Sequence, residues 1–422
     1  MDASPEDDTE VPREARLLCD PQGKLIFIGD CAPLSLFQSI RQIVTRYVGP
    51  DAFAPETSRF SVLENASGET SSSPFQVHAP PEVRSVDIGR AVSNYAILTS
   101  GLIDVFDSTP KLTEDMLLWA SLEPRLRSSS LTATLYYLVL AIGGCRDNEA
   151  AAQTYFEYAR DCAWRSLGGS LGVSTSQAFL LITVYMLCSS QINSGFLVFG
   201  MAVRAAHSIG VHRTEVNARF GPEMHRQRDR LWKSLRVVDL FLSTSMGRPP
   251  STSDVDCTVP YRGIVNDDGE EAFDLLDASV QILLIVESVV LEIYSKRKIS
   301  LQLTEGVSHQ LREWSGRWLP KLKDVLAPRQ TTDSGDVAVM SGACQVLSTY
   351  YYAVMLVSRP FLMYELCRRL SDVPVAPSSP RTLTSGKSKL ADACIDAASL
   401  MVDPILDLID RGVLVGRMPV LV

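Results

Sequence analysis

The sequence predicts an all-α protein: one large, irregular multi-helix domain of about ten helices, with a short non-helical segment near its N-terminus and flexible linkers. Apolar residues recur at helical spacing almost continuously from about Val86 to Cys367. The breaks carry the punctuation that ends helices: Gly143-Gly144, Gly168-Gly169, Gly247-Arg248-Pro249-Pro250 and Pro320. Alternating, strand-like runs are too sparse for an α/β sheet, and no repeat of fixed period supports a solenoid.

Residues 1–16 are acidic and read as a disordered tail. Residues 17–48 combine a turn at Asp20–Gly23, a short β-like run closed by Gly29, and a helix over Ser35–Val48 built on Leu36, Ile40, Ile43 and Val44. Residues 49–85 are rich in Pro, Ser and Thr and read as a linker. The helical body covers 86–370, with helices expected over 86–106, 113–119, 130–145, 148–167, 174–191, 195–209, 222–246, 271–295, 303–317 and 340–366. A second Pro/Ser linker spans 371–389, and a C-terminal helix lies in 390–422. In the helix at 222–246, Leu231, Leu235, Val238 and Leu242 fall within about 60° of one another, a stripe that faces a core. Arg226, Arg230 and Lys233 fall on the opposite side. Pro222 suits the first turn, and Gly247 suits the position past its end.

Composition narrows the function classes. Hydrophobic residues make up 46% of the 422, which excludes wholesale disorder. The longest clean apolar runs, such as Ala178–Cys188, fall short of the roughly 20 residues of a spanning helix, so no membrane contact is expected. The start carries Asp2, Glu6, Asp7, Asp8 and Glu10 and no apolar run, unlike a secretory signal. The nine cysteines are dispersed, with no CxxC pair. They read as buried, reduced thiols and assemble no local zinc site. A net charge of −9 argues against wrapping DNA.

Several motifs invite chemistry. Gly168-Gly169-Ser170-Leu171-Gly172 matches the GxSxG pattern of serine hydrolases, and Ser170 with His207 or His212 would be an α-helical hydrolase. That nucleophile needs a strand-to-helix turn, whereas Tyr155–Arg160 before it is an amphipathic helix; a Gly-rich turn is the simpler account. His207 and His212 are five residues apart, a spacing that does not put both on one helical face, and His207 reads as a core histidine. Asp267, Asp268, Glu270 and Glu271 read as a charge run before a helix. Arg204–Arg236 holds eight Lys/Arg against three Asp/Glu, so Arg226, Arg228, Arg230 and Lys233 could meet phosphates. With almost no interleaved aromatics, a solvated or ion-paired helix face explains them as well.

One block is distinctive as a whole. It runs from Gly200, Arg204, Gly210, His212 and Arg213 through Arg230, Trp232 and Asp239 to Gly247, Arg248 and Pro249, then Asp254 and Asp256. This closely resembles the middle homology region of the fungal zinc-cluster transcription factors. Leu17–Val44, Tyr155–Arg160 and Arg359-Pro360-Phe361 fit segments on either side, so the resemblance covers roughly residues 17–370. Lys233 and Leu240 depart from the family pattern. So does the absence of the six-cysteine module that holds two zinc ions and contacts DNA.

The resemblance implies a regulatory body in the nucleus of a fungus that acts on RNA polymerase II transcription without catalysis. It implies no cofactor in this chain, zinc belonging only to the missing cluster, through which alone DNA would be reached. The implied partners are other transcription regulators or coactivators, with a small-molecule inducer in a largely apolar pocket; the chain would be a shortened form working through them. The signature residues read as structural, with Arg248 and Arg230 tying the Gly-Arg-Pro loop to Asp239, Asp254 or Asp256.

Overall fold

The computed structural model describes residues 9–10, 16–19, 25–49, 52, 79–123, 130–169, 171–263, 271–327, 334–370 and 381–414. In chain order these form β1 (Thr9–Glu10), β2 (Arg16–Cys19), β3 (Leu25–Ile28), α1 (Pro33–Tyr47), α2 (Ser85–Thr99), α3 (Thr109–Ser121), α4 (Leu131–Gly144), α5 (Glu149–Ser166), α6 (Val173–Cys188) and α7 (Ile192–Ser208). A single turn, α8 (Thr214–Asn217), leads through a 3-10 turn into α9 (Pro222–Met246). Then come α10 (Leu275–Val289), extended by a π-type turn over Val290–Tyr294, β4 (Lys298–Ile299), α11 (Leu301–Leu326), α12 (Ser334–Leu370) and α13 (Arg381–Asp410). The fold is nearly all-α. Its strands form two antiparallel pairs, β2 with β3 and β1 with β4. The β1 pairing takes Thr9 and Glu10 out of the tail expected over residues 1–16. Residues 53–78 of the first expected linker and 371–380 of the second lie outside the described residues. α13 starts at Arg381, inside the stretch 371–389 that its Pro and Ser content marks as linker.

Three helices are enclosed on nearly every side. In α4 ten residues from Ala133 to Gly143 are buried, in α6 every residue from Thr175 to Cys188, and in α9 every residue from Leu231 to Thr244. α4 and α6, which lack a charged face, belong inside a large core, and α9 is enclosed there although it carries Lys233, Arg236 and Asp239. One apolar cluster spans α2 to α9 and reaches Leu276, Val280 and Leu283 of α10; a second spans α10, α11 and α12. The alternation in β3, Ile26 and Ile28 inward with Leu25 and Phe27 outward, joins Ala32 and Met246 in a small third cluster.

Helix boundaries depart from the sequence pattern where tertiary contacts outweigh local signals. The helix expected over 86–106 ends at Thr99, because Gly101 turns left-handed (φ 74°) with the Gly342 backbone against it. Pro320 does not end α11, which continues to Leu326. Trp314 and Trp318, both ahead of the proline, and Leu322 beyond it are buried, and the two indole N–H groups donate to the Ala278 carbonyl (3.1 Å) and the Gln281 amide oxygen (3.2 Å). Pro360 sits inside α12 for a clearer reason. A helix proline orphans the carbonyl four residues back, here that of Leu356, and the Tyr294 hydroxyl donates to it at 2.9 Å. The π-type turn carries Tyr294 to that spot.

Removing the hydroxyl with Tyr294→Phe leaves the Leu356 carbonyl buried and unsatisfied and should cost about 1–3 kcal/mol of unfolding free energy in urea titrations. Gly306→Ala, on an exposed and unobstructed turn of α11, should stabilise by about 0.5–1 kcal/mol in the same assay.

Candidate functional site

Charge is wound around the buried length of α9. Arg230, Lys233, Arg236 and Asp239 recur every third residue, each stepping back about 60°, so the three cations lie on the half of the helix away from the Leu231–Leu242 stripe and Asp239 flanks that stripe. Arg230 forks between Asp104 and Asp274, with 2.6 Å from Nη1 to Asp274. Lys233 Nζ lies 2.5 Å from Asp277, both buried. Arg236, 1% exposed, donates to Asp254 (2.8 Å), Glu287 (2.7 Å) and the Thr252 hydroxyl (3.0 Å). Asp239 accepts from the Ser251 and Thr252 N–H groups (3.0 and 2.6 Å) and from the Thr252 hydroxyl, so it holds the turn after the helix.

Burial pushes the Asp104, Asp239, Asp277 and Glu287 carboxyls up, against the pull of the cations and N–H groups that face them. At Asp274 burial acts in the same direction, but Arg230 and the N–H groups of α10 outweigh it and hold that carboxyl down. The expected pairing is therefore corrected. Arg230 reaches Asp104 and Asp274, Asp254 belongs to Arg236, and Asp239 takes backbone donors. The basic stretch is largely spent inside the fold. Arg228 is buried too, donating to Asn217 and the Ile209 carbonyl beneath the Phe220 ring, whereas Arg226 is exposed.

Trp232 anchors a second group. Its indole N–H donates to the Tyr261 hydroxyl (3.2 Å), which donates to Asp254 (2.6 Å). The His207 and His212 rings lie 4.9 Å apart, at 5.3 and 5.7 Å from the Trp232 ring. The turn at Gly210 (φ 70°), packed on Val216, folds the chain back and brings together two histidines that helical spacing alone keeps apart. Asp256 then spans His212 (3.5 Å) and Arg213 (2.9 Å). Burial, then the nearby His212 and Arg204, hold the His207 pKa below its ordinary 6.5, with Asp256 pulling the other way. Arg204 itself is exposed, and open space surrounds Gly200, so nothing packed there requires a glycine.

The Gly-Arg-Pro and Arg-Pro-Phe signatures, over a hundred residues apart, close on one segment. Gly247 ends α9 left-handed (φ 64°), and the Arg248 N–H returns to the Ser243 carbonyl (2.8 Å). Gly29 meets Gly247 backbone to backbone; a Cβ on Gly29 would lie 1.8 Å from the Gly247 carbonyl oxygen, and the Gly29 N–H donates to the Met246 carbonyl (2.9 Å). Arg248 donates to the Phe27 carbonyl (3.1 Å) over the Phe196 ring, and Pro249 follows it toward solvent. From the other side Arg359 donates to the carbonyls of Asp30 (3.1 Å), Cys31 (3.3 Å) and Ala32 (3.2 Å). Burial holds its pKa down to about 10, and Phe361, next after Pro360, is fully enclosed. The sequence marks Gly29 only as the close of a strand and Lys233 as one of a basic set, and it does not single out Arg236 or Asp277; for Lys233 and Arg236 the three-residue spacing of charges on an otherwise apolar helix is the signal.

Ser170 lies outside the described residues, as do Asp267, Asp268 and Glu270. Glu271 is described, and it accepts from Gln281 and Arg317 instead of facing solvent. Among the described residues no group of three or more His, Cys, Asp or Glu side chains could hold a metal ion. Cys31, Cys188, Cys344 and Cys394 are buried as expected, but Cys145, Cys162 and Cys257 are half-buried and Cys367 is exposed. A cleft of about 970 Å³ opens between α2, α3 and the starts of α10 and α12, walled by Tyr95, Phe106 and Phe273 with Arg230, Asp104 and Asp274 at its polar side. Among the described residues no helix is long and apolar enough to cross a membrane.

Residues 93–315, over half of the chain, match the fungal specific transcription factor domain, and the chain belongs to that family. The chain is 26% identical over 387 residues to Filamentous growth regulator 27 of Candida albicans, covering 85% of this chain and 47% of that protein. It is 27% identical over 241 residues to the Fusaridione A cluster transcription factor of Fusarium heterosporum, 52% of this chain and 44% of that one. Activator of stress genes 1 of Saccharomyces cerevisiae is 22% identical over 220 residues, 49% and 22%. The chain thus spans less than half the length of these relatives. No solved structure is significantly similar to it.

Lys233→Ala strands the Asp277 carboxylate and should cost about 3–5 kcal/mol, whereas Lys233→Met combined with Asp277→Leu should fall near wild type in urea melts. His207 takes up a proton in the unfolded chain near pH 6.5 and resists it when folded. Its contribution is therefore present above that pH and lost as pH falls. Melting temperatures followed from about pH 7.5 to about pH 5.5 should drop less steeply in His207→Gln than in wild type.

Proposed function

We propose that this chain is the regulatory body of a zinc-cluster-type regulator of RNA polymerase II transcription in a fungus. In this reading it works in the nucleus, through other transcription regulators or coactivators and without catalysis. DNA contact would require a zinc cluster that these 422 residues do not contain. The observation that carries the reading is the match of residues 93–315 to the fungal specific transcription factor domain, together with relatives whose names are those of transcription regulators. The placement of Arg230, Trp232, Asp239, Gly247, Arg248 and Arg359 supports it: they hold helices and the segment 25–32 together, a role that suits a body transmitting a state between its parts. The cleft beside Arg230 would be the inducer's place, with aromatic walls and a few polar anchors.

Fused to a foreign DNA-binding domain in a fungal host, the chain should concentrate in the nucleus and change the output of a reporter carrying the matching site. An unchanged reporter with a nuclear fusion protein would overturn the proposal. The hydrolase reading is separated by ester turnover, which should be absent from the purified chain and from Ser170→Ala alike.

A further inference from the structure

The outer surface of α13 carries more apolar area than the fold uses. Ala391, Cys394, Ala397 and Leu408 are buried on the side of the helix that packs on α12, where the Cys394 thiol reaches the Met355 carbonyl. At 100° per residue, Ile395, Val402, Leu406 and Ile409 fall within about 60° of one another beside that face. All four are between 44% and 54% exposed. The stripe runs about 21 Å, nearly four helical turns. Along its free edge lie Asp392, Asp396, Asp403, Asp407 and Asp410, every one exposed. From Leu390 to Asp410 the helix has no Lys or Arg. Among the described residues only Asp407 of the five is ion-paired, to Arg411 at 3.0 Å.

We propose that this face docks a basic amphipathic helix from a partner protein, whose apolar side chains lie along Ile395, Val402, Leu406 and Ile409 while its Lys or Arg residues meet the aspartate row. A row of apolar side chains at intervals of three, four and seven is the register that reads a helix. The aspartates choose its charge. They repel the anionic surface of a membrane and the phosphates of nucleic acid. A second copy of a chain with net charge −9 is also disfavoured as occupant. The inference rests on this surface alone and not on the regulatory reading above.

The test uses the full chain and two synthetic helical peptides with the same leucine stripe, one flanked by lysines and one by glutamates, followed by fluorescence anisotropy. The lysine peptide should bind, more weakly as salt rises, and the glutamate peptide should bind at least tenfold more weakly. Val402→Ser with Leu406→Ser, both on exposed positions, should lower lysine-peptide binding at least tenfold while the circular dichroism stays unchanged. Asp396→Lys with Asp403→Lys should reverse the order of the two peptides, a result that misfolding cannot give. Lysine-peptide binding indifferent to both double variants would overturn the proposal. So would a dimer in sedimentation that Val402→Ser with Leu406→Ser dissolves, since the face would then belong to a second copy.

Discussion

The structure depends on a helix that cannot be solvated on either side. α9 offers one half of its circumference as leucine and valine and the other as charge, and both halves are buried. A buried cation is tolerable only with partners at hydrogen-bond distance. The placement of α10 follows from that constraint, because Asp274, Asp277 and Glu287 must meet Arg230, Lys233 and Arg236. The apolar half gathers the helices that precede it, and the charged half fixes those that follow. Two hydrophobic clusters thereby become one body with a polar seam whose register is set by ion pairs of fixed partnership.

The same economy explains the proline-containing signatures. A proline in a helix and a glycine beyond a helix end each leave backbone groups or space to be dealt with. Here the solutions are long-range: Tyr294 answers the carbonyl orphaned by Pro360, and Gly29 fills the space that Gly247 leaves open. Arg248 and Arg359 donate to main-chain carbonyls, and those contacts specify the path of residues 27–32 without reading its side chains.

Much of this was legible in the sequence, and the boundary of legibility is physical. Periodicity reports which side of a helix is apolar, so the all-α fold and the α9 stripe could be read directly. It does not report what covers the other side, so Lys233 read as a surface residue although Asp277 lies against it. The left-handed end of α9 was readable because Gly247 follows a long periodic run. Gly101 was not, because the helix pattern continues past it and only the approach of Gly342 breaks the chain there. The pairing of His207 with His212 was hidden for a related reason: a turn at Gly210, not the helix period, sets their distance. Arg230, Trp232, Asp239 and Arg248 were singled out from the signature. Asp239 finds its partners in the turn just after its own helix, but those of Arg230 and Arg248, from Asp104 to the Phe27 carbonyl, lie far away in the chain, and no local pattern encodes them.

The grip on residues 27–32 also has a consequence in time. Its two jaws are made by residues around 247 and 359, the latter 329 positions after Asp30. At roughly 5–20 residues per second of synthesis, about 15–65 s separate the emergence of the segment from that of its last partner. For about the first two thirds of that interval Ile26 and Ile28 have no pocket to enter, since Met246 and the left-handed turn after it do not yet exist. The first piece of this body to leave the ribosome is among the last to find its place, and its docking marks the completion of the domain.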